Sequence, residues 1–221
     1  MIIVFSGTDG AGKSTQIMIL KDKLEKKCFR VKHIWARGGY TPLFMLIKNF
    51  IRKLFAQNHI SKEATKVRDE LIKKRLISKI WLSVAIFDML IYYGLYVRYL
   101  SAIGNIVICD RYVDDTCIDF RRNFEDNFKE KSLLWRLLIL LVPKPEYAFL
   151  LYVPVEDSLK RSQLKNEPFP DSPDTLAYRL CCYLDESVFS SKRFYKIDCR
   201  QSIKEVSLQI NKRLDALLNA N

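Results

Sequence analysis

Short apolar runs alternate with longer amphipathic stretches along most of the 221 residues. Five runs have the length and composition of buried β-strands, and the stretches between them repeat apolar residues every three or four positions, as helices do. The predicted strands are 2–6, 30–35, 105–109, 147–153 and 193–197, and the predicted helices are 15–27, 43–56, 62–76, 78–100, 131–141, 155–164, 173–187 and 203–218. Strands that alternate with helices predict an α/β fold, here a five-stranded parallel sheet with helices on both faces.

A glycine-rich turn joins the first strand to the first helix. Residues 7–14 read Gly-Thr-Asp-Gly-Ala-Gly-Lys-Ser, the spacing of a phosphate-binding loop in its expected place between a strand and a helix. Glycines let backbone N–H groups turn toward phosphate oxygens, and the helix N-terminus adds positive potential. Lys13 would reach the β- and γ-phosphates and the Ser14 hydroxyl would bind Mg²⁺. The residues predicted to bind ATP here are Gly7, Thr8, Asp9, Gly10, Ala11, Gly12, Lys13, Ser14 and Thr15.

The alternative is a glycine-rich turn that binds no ligand, but such a turn would not require both Lys13 and Ser14.

Parallel sheets bind ligands beyond the carboxyl ends of their strands. We therefore expect Arg37, residues 110–112 and the residues after Val153 to meet the loop at one edge of the sheet. Asp110 follows a buried strand, where an acid helps to hold hydrated Mg²⁺ in phosphate-loop enzymes.

Composition adds limits on the class of protein. The chain is 49% hydrophobic and 28% charged, which predicts one globular domain over residues 1–221. Its formal charge of +12 suits anionic ligands such as phosphates, and nucleic acid bound by the basic stretch 48–79 is the weaker alternative. Six cysteines, mostly in apolar surroundings and without Cys-x-x-Cys spacing, predict reduced core thiols in a cytoplasmic protein. The first strand begins at residue 2, so no secretory signal is expected.

One apolar stretch, 80–96, could be mistaken for a membrane span. It carries Asp88 near its middle, and a carboxylate there is unfavourable in a bilayer by about 3 kcal/mol. We expect a buried helix, or a helix that faces a second copy of the chain, and no membrane partner.

Three stretches carry a resemblance to the thymidylate kinases, a branch of the nucleoside monophosphate kinases. They are residues 7–16, residues 37–43 with Arg-Gly-Gly and Thr-Pro-Leu, and residues 106–112 with Asp-Arg-Tyr after a strand; 151–161 and 197–203 also look similar. The resemblance implies a phosphate-loop nucleotide kinase that uses ATP and Mg²⁺ to phosphorylate a nucleoside monophosphate, with dTMP favoured. It also implies that a homodimer is an option, because the family is usually dimeric.

Residue roles follow from the same resemblance. Asp9 would contact the acceptor's 3′-hydroxyl, Arg37 would clamp its phosphate, and Arg111 would bridge that phosphate and the transferring group. Arg161 and Lys165 would belong to a mobile lid over ATP, at about 160–173, although both could be ordinary surface charges. Arg37 could be one too, and Asp110 with Arg111 could be a structural ion pair. The predicted acceptor-binding residues are Asp9, Arg37, Arg111, Tyr112 and Asp115; the predicted catalytic ones are Lys13, Asp110, Arg111 and Arg161; the predicted metal ligands are Ser14 and Asp110.

The chain departs from the family where the acceptor base is read. A Phe and an Arg that contact thymine in the family correspond here to Ala85 and Met89, and two positions near the sugar hold Asp115 and Asp119. The acceptor therefore stays open: another nucleotide, a nucleoside or a non-nucleotide phosphate are alternatives, as is a nucleotide-binding switch without kinase activity. The loop also has Gly10 where some members carry a catalytic Arg, and the predicted lid supplies only one arginine, Arg161. Because Lys cannot form the two-pronged contact of Arg, a slow enzyme is expected.

Overall fold

The computed structural model describes residues 1–35, 75–165, 171–185 and 194–215. The chain divides into two compact units: Met1–Ala36, Tyr99–Ile118 and Lys144–Asn221 form the first, and Arg37–Arg98 with Asp119–Pro143 form the second. Arg37, the predicted helix 43–56 and most of the predicted helix 62–76 lie outside the described residues.

A five-stranded sheet forms the centre of the first unit. Its strands, in the spatial order β2-β3-β1-β4-β5, are β1 (Ile2–Gly7), β2 (Val31–Trp35), β3 (Ile106–Asp110), β4 (Tyr147–Tyr152) and β5 (Tyr195–Asp198). Every pairing is parallel, and Val4 in the central strand lies between Cys109 and Ala148. The all-parallel α/β class is therefore confirmed.

Both faces of β1 are covered, since all six of its residues are buried. Ile3 and Phe5 pack in a core with apolar residues of α1 (Lys13–Lys26) and α8 (Ile203–Arg213), and the Phe5 ring stacks on Phe149 at 5.2 Å. The other helices, numbered in chain order, are α3 (Arg98–Ala102), α4 (Val113–Asn123), α6 (Val155–Leu164) and α7 (Pro173–Leu184).

Local capping explains where two of these helices begin. Ser202 and Glu205 form a reciprocal capping box at the start of α8, which satisfies two backbone N–H groups that have no partner inside the helix. Ser172 accepts from the Thr175 N–H at the start of α7, and Pro173 occupies the first helical position, where no N–H is needed.

The second unit is helical in its described part. Helix α2 (Arg75–Met89) continues through a π-helical segment (Leu90–Val97) toward α3, and α5 (Leu133–Leu141) packs against α2. The Arg98 guanidinium donates to the carbonyl oxygens of Gly94, at 3.2 Å, and Leu141, at 2.5 Å. These two bonds join the π-helical segment to the end of α5.

The long helix from Ser78 to Ala102 is apolar enough, by length and composition, to cross a membrane, which is weak evidence because core helices of soluble proteins meet the same criterion. Of its most apolar part, 44% is buried, and Asp88 within it is buried as well. No other candidate span occurs among the described residues.

Two expectations from the sequence differ from the structure. No helix was expected at 113–123, where α4 lies; its acidic first turn and basic last turn match the helix dipole, but its high charge density hides the apolar face. The cysteines are all free, as expected, but Cys28 and Cys181 are exposed, so the interpretation of the cysteines as core thiols is wrong for these two.

Candidate active site

The phosphate-binding loop begins where β1 meets β4. Gly7 has a φ of 133°, and a Cβ atom on it would lie 1.8 Å from the carbonyl oxygen of Leu151. The Thr8 N–H donates to that same oxygen at 3.1 Å, and the Thr8 hydroxyl accepts from the Val153 N–H at 3.1 Å. Only glycine fits this first position, because β4 approaches the loop backbone directly.

Helix α6 holds the outer side of the loop. The Ser158 hydroxyl donates to the Asp9 carbonyl at 2.6 Å, and the Arg161 guanidinium donates to the Gly10 carbonyl at 3.0 Å and the Cys199 carbonyl at 2.9 Å. Arg161, predicted as a lid residue, thus connects the loop to the end of β5 in this structure. Ser158 was not predicted as a site residue.

Lys13 lies buried inside the loop. Its ammonium group donates to the carbonyl oxygens of Gly7 at 3.1 Å and Thr8 at 2.8 Å, and its Nζ is 3.8 Å from an Asp9 carboxylate oxygen. Burial, together with the positive charge of Arg111, lowers the pKa of Lys13 to about 8. A phosphate in the loop would add negative charge beside this ammonium group and so favour its protonated form.

Asp110 ends β3 next to the loop and has features of a cation-binding carboxylate. Its Oδ1 atom is buried and has no hydrogen-bond partner among the described residues. Burial raises the pKa of Asp110 above its usual range, while Lys13 and Arg111 oppose that shift. Ser14 is exposed in the first turn of α1.

These residues fit Mg²⁺, which accepts oxygen ligands and usually keeps several of its waters. Within the described ranges no cluster of three or more carboxylate, His or Cys side chains could hold a metal ion. A metal held by Ser14, Asp110, water and substrate phosphates is consistent with that finding, whereas a cage built from protein side chains is not.

Arg111 adopts a conformation that is unusual for a residue with a side chain. Its φ is 75°, and its backbone N–H donates to the Phe5 carbonyl at 2.9 Å. The guanidinium is 5% exposed and forms an ion pair with Asp9 in the loop. A left-handed backbone at a non-glycine residue costs about 1–3 kcal/mol and persists only where the surroundings enforce it.

Asp115, in the first turn of α4, contacts Arg111 and the backbone that follows it. Its carboxylate accepts from the Tyr183 hydroxyl at 2.5 Å and the Ser6 hydroxyl at 2.6 Å, from the Tyr112 N–H at 2.9 Å, and from Arg111 at 3.4 Å. A carboxylate has about four acceptor positions, and here protein donors use four. Asp115 was predicted to bind the acceptor; in this structure it is 1% exposed and contacts Arg111 instead.

Helix α7 supplies two site residues that were not predicted. Arg179 donates to the second Asp9 carboxylate oxygen at 3.2 Å and to Asp171, and Tyr183, one turn later, contacts both Arg111 and Asp115. Asp9 therefore lies between two arginines, Arg111 and Arg179. The signal in the sequence was a pair of polar side chains four residues apart on the buried face of an amphipathic helix.

The remaining predicted site residues differ in burial and in the element that carries them. Tyr112 is buried beside the site, Thr15 is exposed on α1, and Lys165 is exposed where α6 ends. Ala85 and Met89, which correspond to the thymine-reading positions of the family, are buried in α2 in the second unit.

Comparison with known proteins decides the family. A family model described as "Thymidylate kinase" matches residues 5–210. The chain belongs to the thymidylate kinase family. It is 27% identical over 228 residues to the thymidylate kinase of Gloeobacter violaceus, a match that covers 100% of this chain and 97% of that protein. It is 26% identical over 204 residues to the thymidylate kinase of Herpetosiphon aurantiacus, covering 91% and 77%.

A solved structure of the thymidylate kinase from Candida albicans has the same fold. The TM-score is 0.61 at 21% sequence identity, and the match covers 100% of this chain and 93% of that one. Membership of the thymidylate kinase family identifies the protein as a phosphotransferase of nucleotide biosynthesis.

Proposed function

We propose that this member of the thymidylate kinase family transfers the γ-phosphoryl group of ATP to dTMP and yields dTDP. The observation that carries the proposal is the convergence of Asp9, Lys13 and Arg111 at the carboxyl ends of β1 and β3. Lys13 and Arg111 both contact the Asp9 carboxylate, and Asp110 lies at the end of the same strand that precedes Arg111.

On the donor side, backbone N–H groups of the loop after Thr8, up to residue 15, and the Lys13 ammonium group bind the ATP phosphates. Ser14 and Asp110 hold Mg²⁺, which neutralises phosphate charge when bound. Because phosphoryl transfer requires little covalent chemistry from the protein, the role of these groups is positioning and charge stabilisation. The position of Lys13 against the loop carbonyls supports this role, since a triphosphate would draw its ammonium group away from them.

On the acceptor side, Arg111 contacts the acceptor phosphate and Asp9 the sugar hydroxyl, as the family resemblance implies. The resemblance assigns the acceptor phosphate to Arg37 as well, a residue outside the described ranges. An incoming phosphate competes with Asp9 for the Arg111 guanidinium, and Arg179 then keeps Asp9 neutralised. Arg161 and Lys165 close over ATP, with Arg161 already attached to the loop through Gly10.

A second candidate is the same reaction on a different acceptor. Ala85 and Met89 offer neither an aromatic ring nor a guanidinium where the family reads thymine, and apolar side chains discriminate weakly between related bases. A nucleotide-binding switch is less favoured, because a switch has no acceptor phosphate for Arg111 to hold.

A coupled assay of ADP release tests the proposal. ATP with Mg²⁺ is offered with dTMP, dUMP, UMP, CMP, dCMP, AMP and GMP in turn, and Lys13→Met serves as the control that should be inactive on all of them. We expect dTMP to stimulate release most. Stimulation by another nucleotide alone would establish the second candidate, and release that no nucleotide changes would exclude every nucleoside monophosphate in the panel as the acceptor.

The homodimer and the cytoplasmic location stay predictions. Size-exclusion chromatography with light scattering tests the first, and localisation of a tagged chain tests the second.

A further inference from the structure

We infer that Tyr183 and Asp115 are positioning residues that fix the Arg111 guanidinium for phosphoryl transfer. This inference rests on the proposed function, in which Arg111 holds the acceptor phosphate. Neither residue touches the reacting atoms in this scheme. Both would act through Arg111 alone.

The hydrogen-bond directions define what Tyr183 does. A phenol has one proton, and the 2.5 Å contact assigns it to the Asp115 carboxylate, which has no proton to give. The oxygen lone pair then accepts from an Arg111 Nη at 3.2 Å, since a guanidinium can only donate. Tyr183 is therefore a neutral bridge between the Asp115 carboxylate and the Arg111 guanidinium.

Asp115 itself is held rigidly. The Ser6 hydroxyl in β1 and the Tyr112 N–H fix one of its oxygens, and Tyr183 with Arg111 contacts the other. An arginine side chain loses rotamer entropy when it is immobilised. The protein meets that cost during folding through these contacts, so it does not recur each time the acceptor binds.

Charge supports the same conclusion. Asp115 adds a negative charge next to Arg111, at 3.4 Å from its guanidinium. With Asp9 on its other side, the guanidinium lies between two carboxylates. When the acceptor phosphate displaces Asp9, Asp115 and Tyr183 keep the guanidinium in place.

Helix α7 carries both Tyr183 and Arg179, and it thereby links two residues of the site. Tyr183 and Arg179 lie one turn apart on α7, which directly follows the predicted lid segment 160–173. Arg179 contacts Asp9 and Tyr183 contacts Arg111, so one helix holds both proposed acceptor-binding residues together.

Two substitutions that preserve shape test the inference. Tyr183→Phe removes only the hydroxyl, whereas Asp115→Asn removes the charge and turns one of the two acceptor oxygens into an NH₂ donor. We expect Tyr183→Phe to lower kcat/KM for the acceptor about tenfold, as expected for loss of one hydrogen bond to a charged group, with KM for ATP unchanged. The double variant should be no worse than Asp115→Asn alone, because residues that act as a unit are not additive.

Two controls separate positioning from general damage. Tyr147→Phe removes a hydroxyl from the first residue of β4, at the end of the sheet opposite the loop, and should leave kcat/KM unchanged. In an Arg111→Lys background, Tyr183→Phe should have no further effect on kcat/KM. Thermal unfolding of each variant identifies any that fail to fold.

A spectroscopic measurement works without activity. In ¹⁵N-arginine-labelled protein, the buried Arg111 Nη–H protons should exchange slowly and give separate NMR signals, assigned by their loss in Arg111→Lys. Tyr183→Phe should merge or broaden them, and Tyr147→Phe should not. Unchanged signals in Tyr183→Phe, or an additive double variant, would overturn the inference. A wild type that phosphorylates no acceptor but shows the expected NMR change would refute the proposed function and leave the positioning contact established.

Discussion

Gly7→Ala provides the sharpest test of how the phosphate loop is built. The added Cβ would lie 1.8 Å from the carbonyl oxygen of Leu151 and 2.7 Å from its carbonyl carbon, distances at which backbone must move. Gly104→Ala is the matched control, because Gly104 also has a positive φ, of 83°, but an added Cβ meets nothing within 4 Å.

The magnitude follows from three contributions. A positive φ at alanine costs about 1–2 kcal/mol at either site. Only at Gly7 does relief of the clash add about 1–3 kcal/mol of overpacking and about 1 kcal/mol from the displaced Thr8 N–H to Leu151 hydrogen bond. We expect Gly7→Ala to lose about 3–6 kcal/mol of unfolding free energy and Gly104→Ala about 1–2 kcal/mol.

Chemical denaturation measures both free energies of unfolding. Titration with an ATP analogue measures whether the loop still binds phosphates. At about 2–4 °C per kcal/mol for a chain of this size, the two variants should also differ in melting temperature by several degrees. Gly7→Ala should bind the analogue weakly even where it is folded, and Gly104→Ala should bind it normally. If the two variants lose equal stability, the close approach of β4 to the loop does not constrain Gly7 and the reasoning is refuted.

Two further predictions concern charged groups of the loop. Because burial lowers the pKa of Lys13 to about 8, ATP binding at pH 8.5 should restore the ammonium form and take up most of a proton. Calorimetry in two buffers of different ionisation enthalpy should detect this uptake at pH 8.5 and not at pH 6.5. Lys13→Met should show none at either pH. Arg161→Ala should lower kcat more than tenfold and weaken ATP binding, because the Gly10 and Cys199 carbonyls both lose a donor. The control Lys160→Ala, on the exposed side of α6, should change neither kcat nor ATP binding. A loss of kcat below tenfold in Arg161→Ala would remove Arg161 from the catalytic set.

The sheet could be predicted from the sequence because each strand is a short apolar run with its own local signal. Strand bounds differ by one or two residues, and Asp110 ends β3 instead of following it. The phosphate loop could be predicted equally well, since its geometry depends on glycine spacing between one strand and one helix.

The contacts of Arg111 could not be predicted in the same way. Tyr183 lies 72 residues further along the chain, and Arg179 lies 170 residues after Asp9. Which face of α7 turns toward the sheet depends on packing in three dimensions, and polar residues on a helix usually face solvent. The role of Asp115 was inferred from alignment with a family position near the acceptor, whereas its saturation by protein donors depends on where Ser6 and Tyr183 meet.

The central place of β1 has a consequence for synthesis of the chain. Its partners are residues 107–110 and 147–151, so β1 is made about 100 residues before its first neighbour and about 140 before its second, roughly 7–30 s ahead of the latter. During that interval the apolar segment Ile2–Phe5 cannot be covered by its native neighbours. We expect nascent chains that stop before β4 to associate with chaperones or aggregate, and chains released after β5 to escape both.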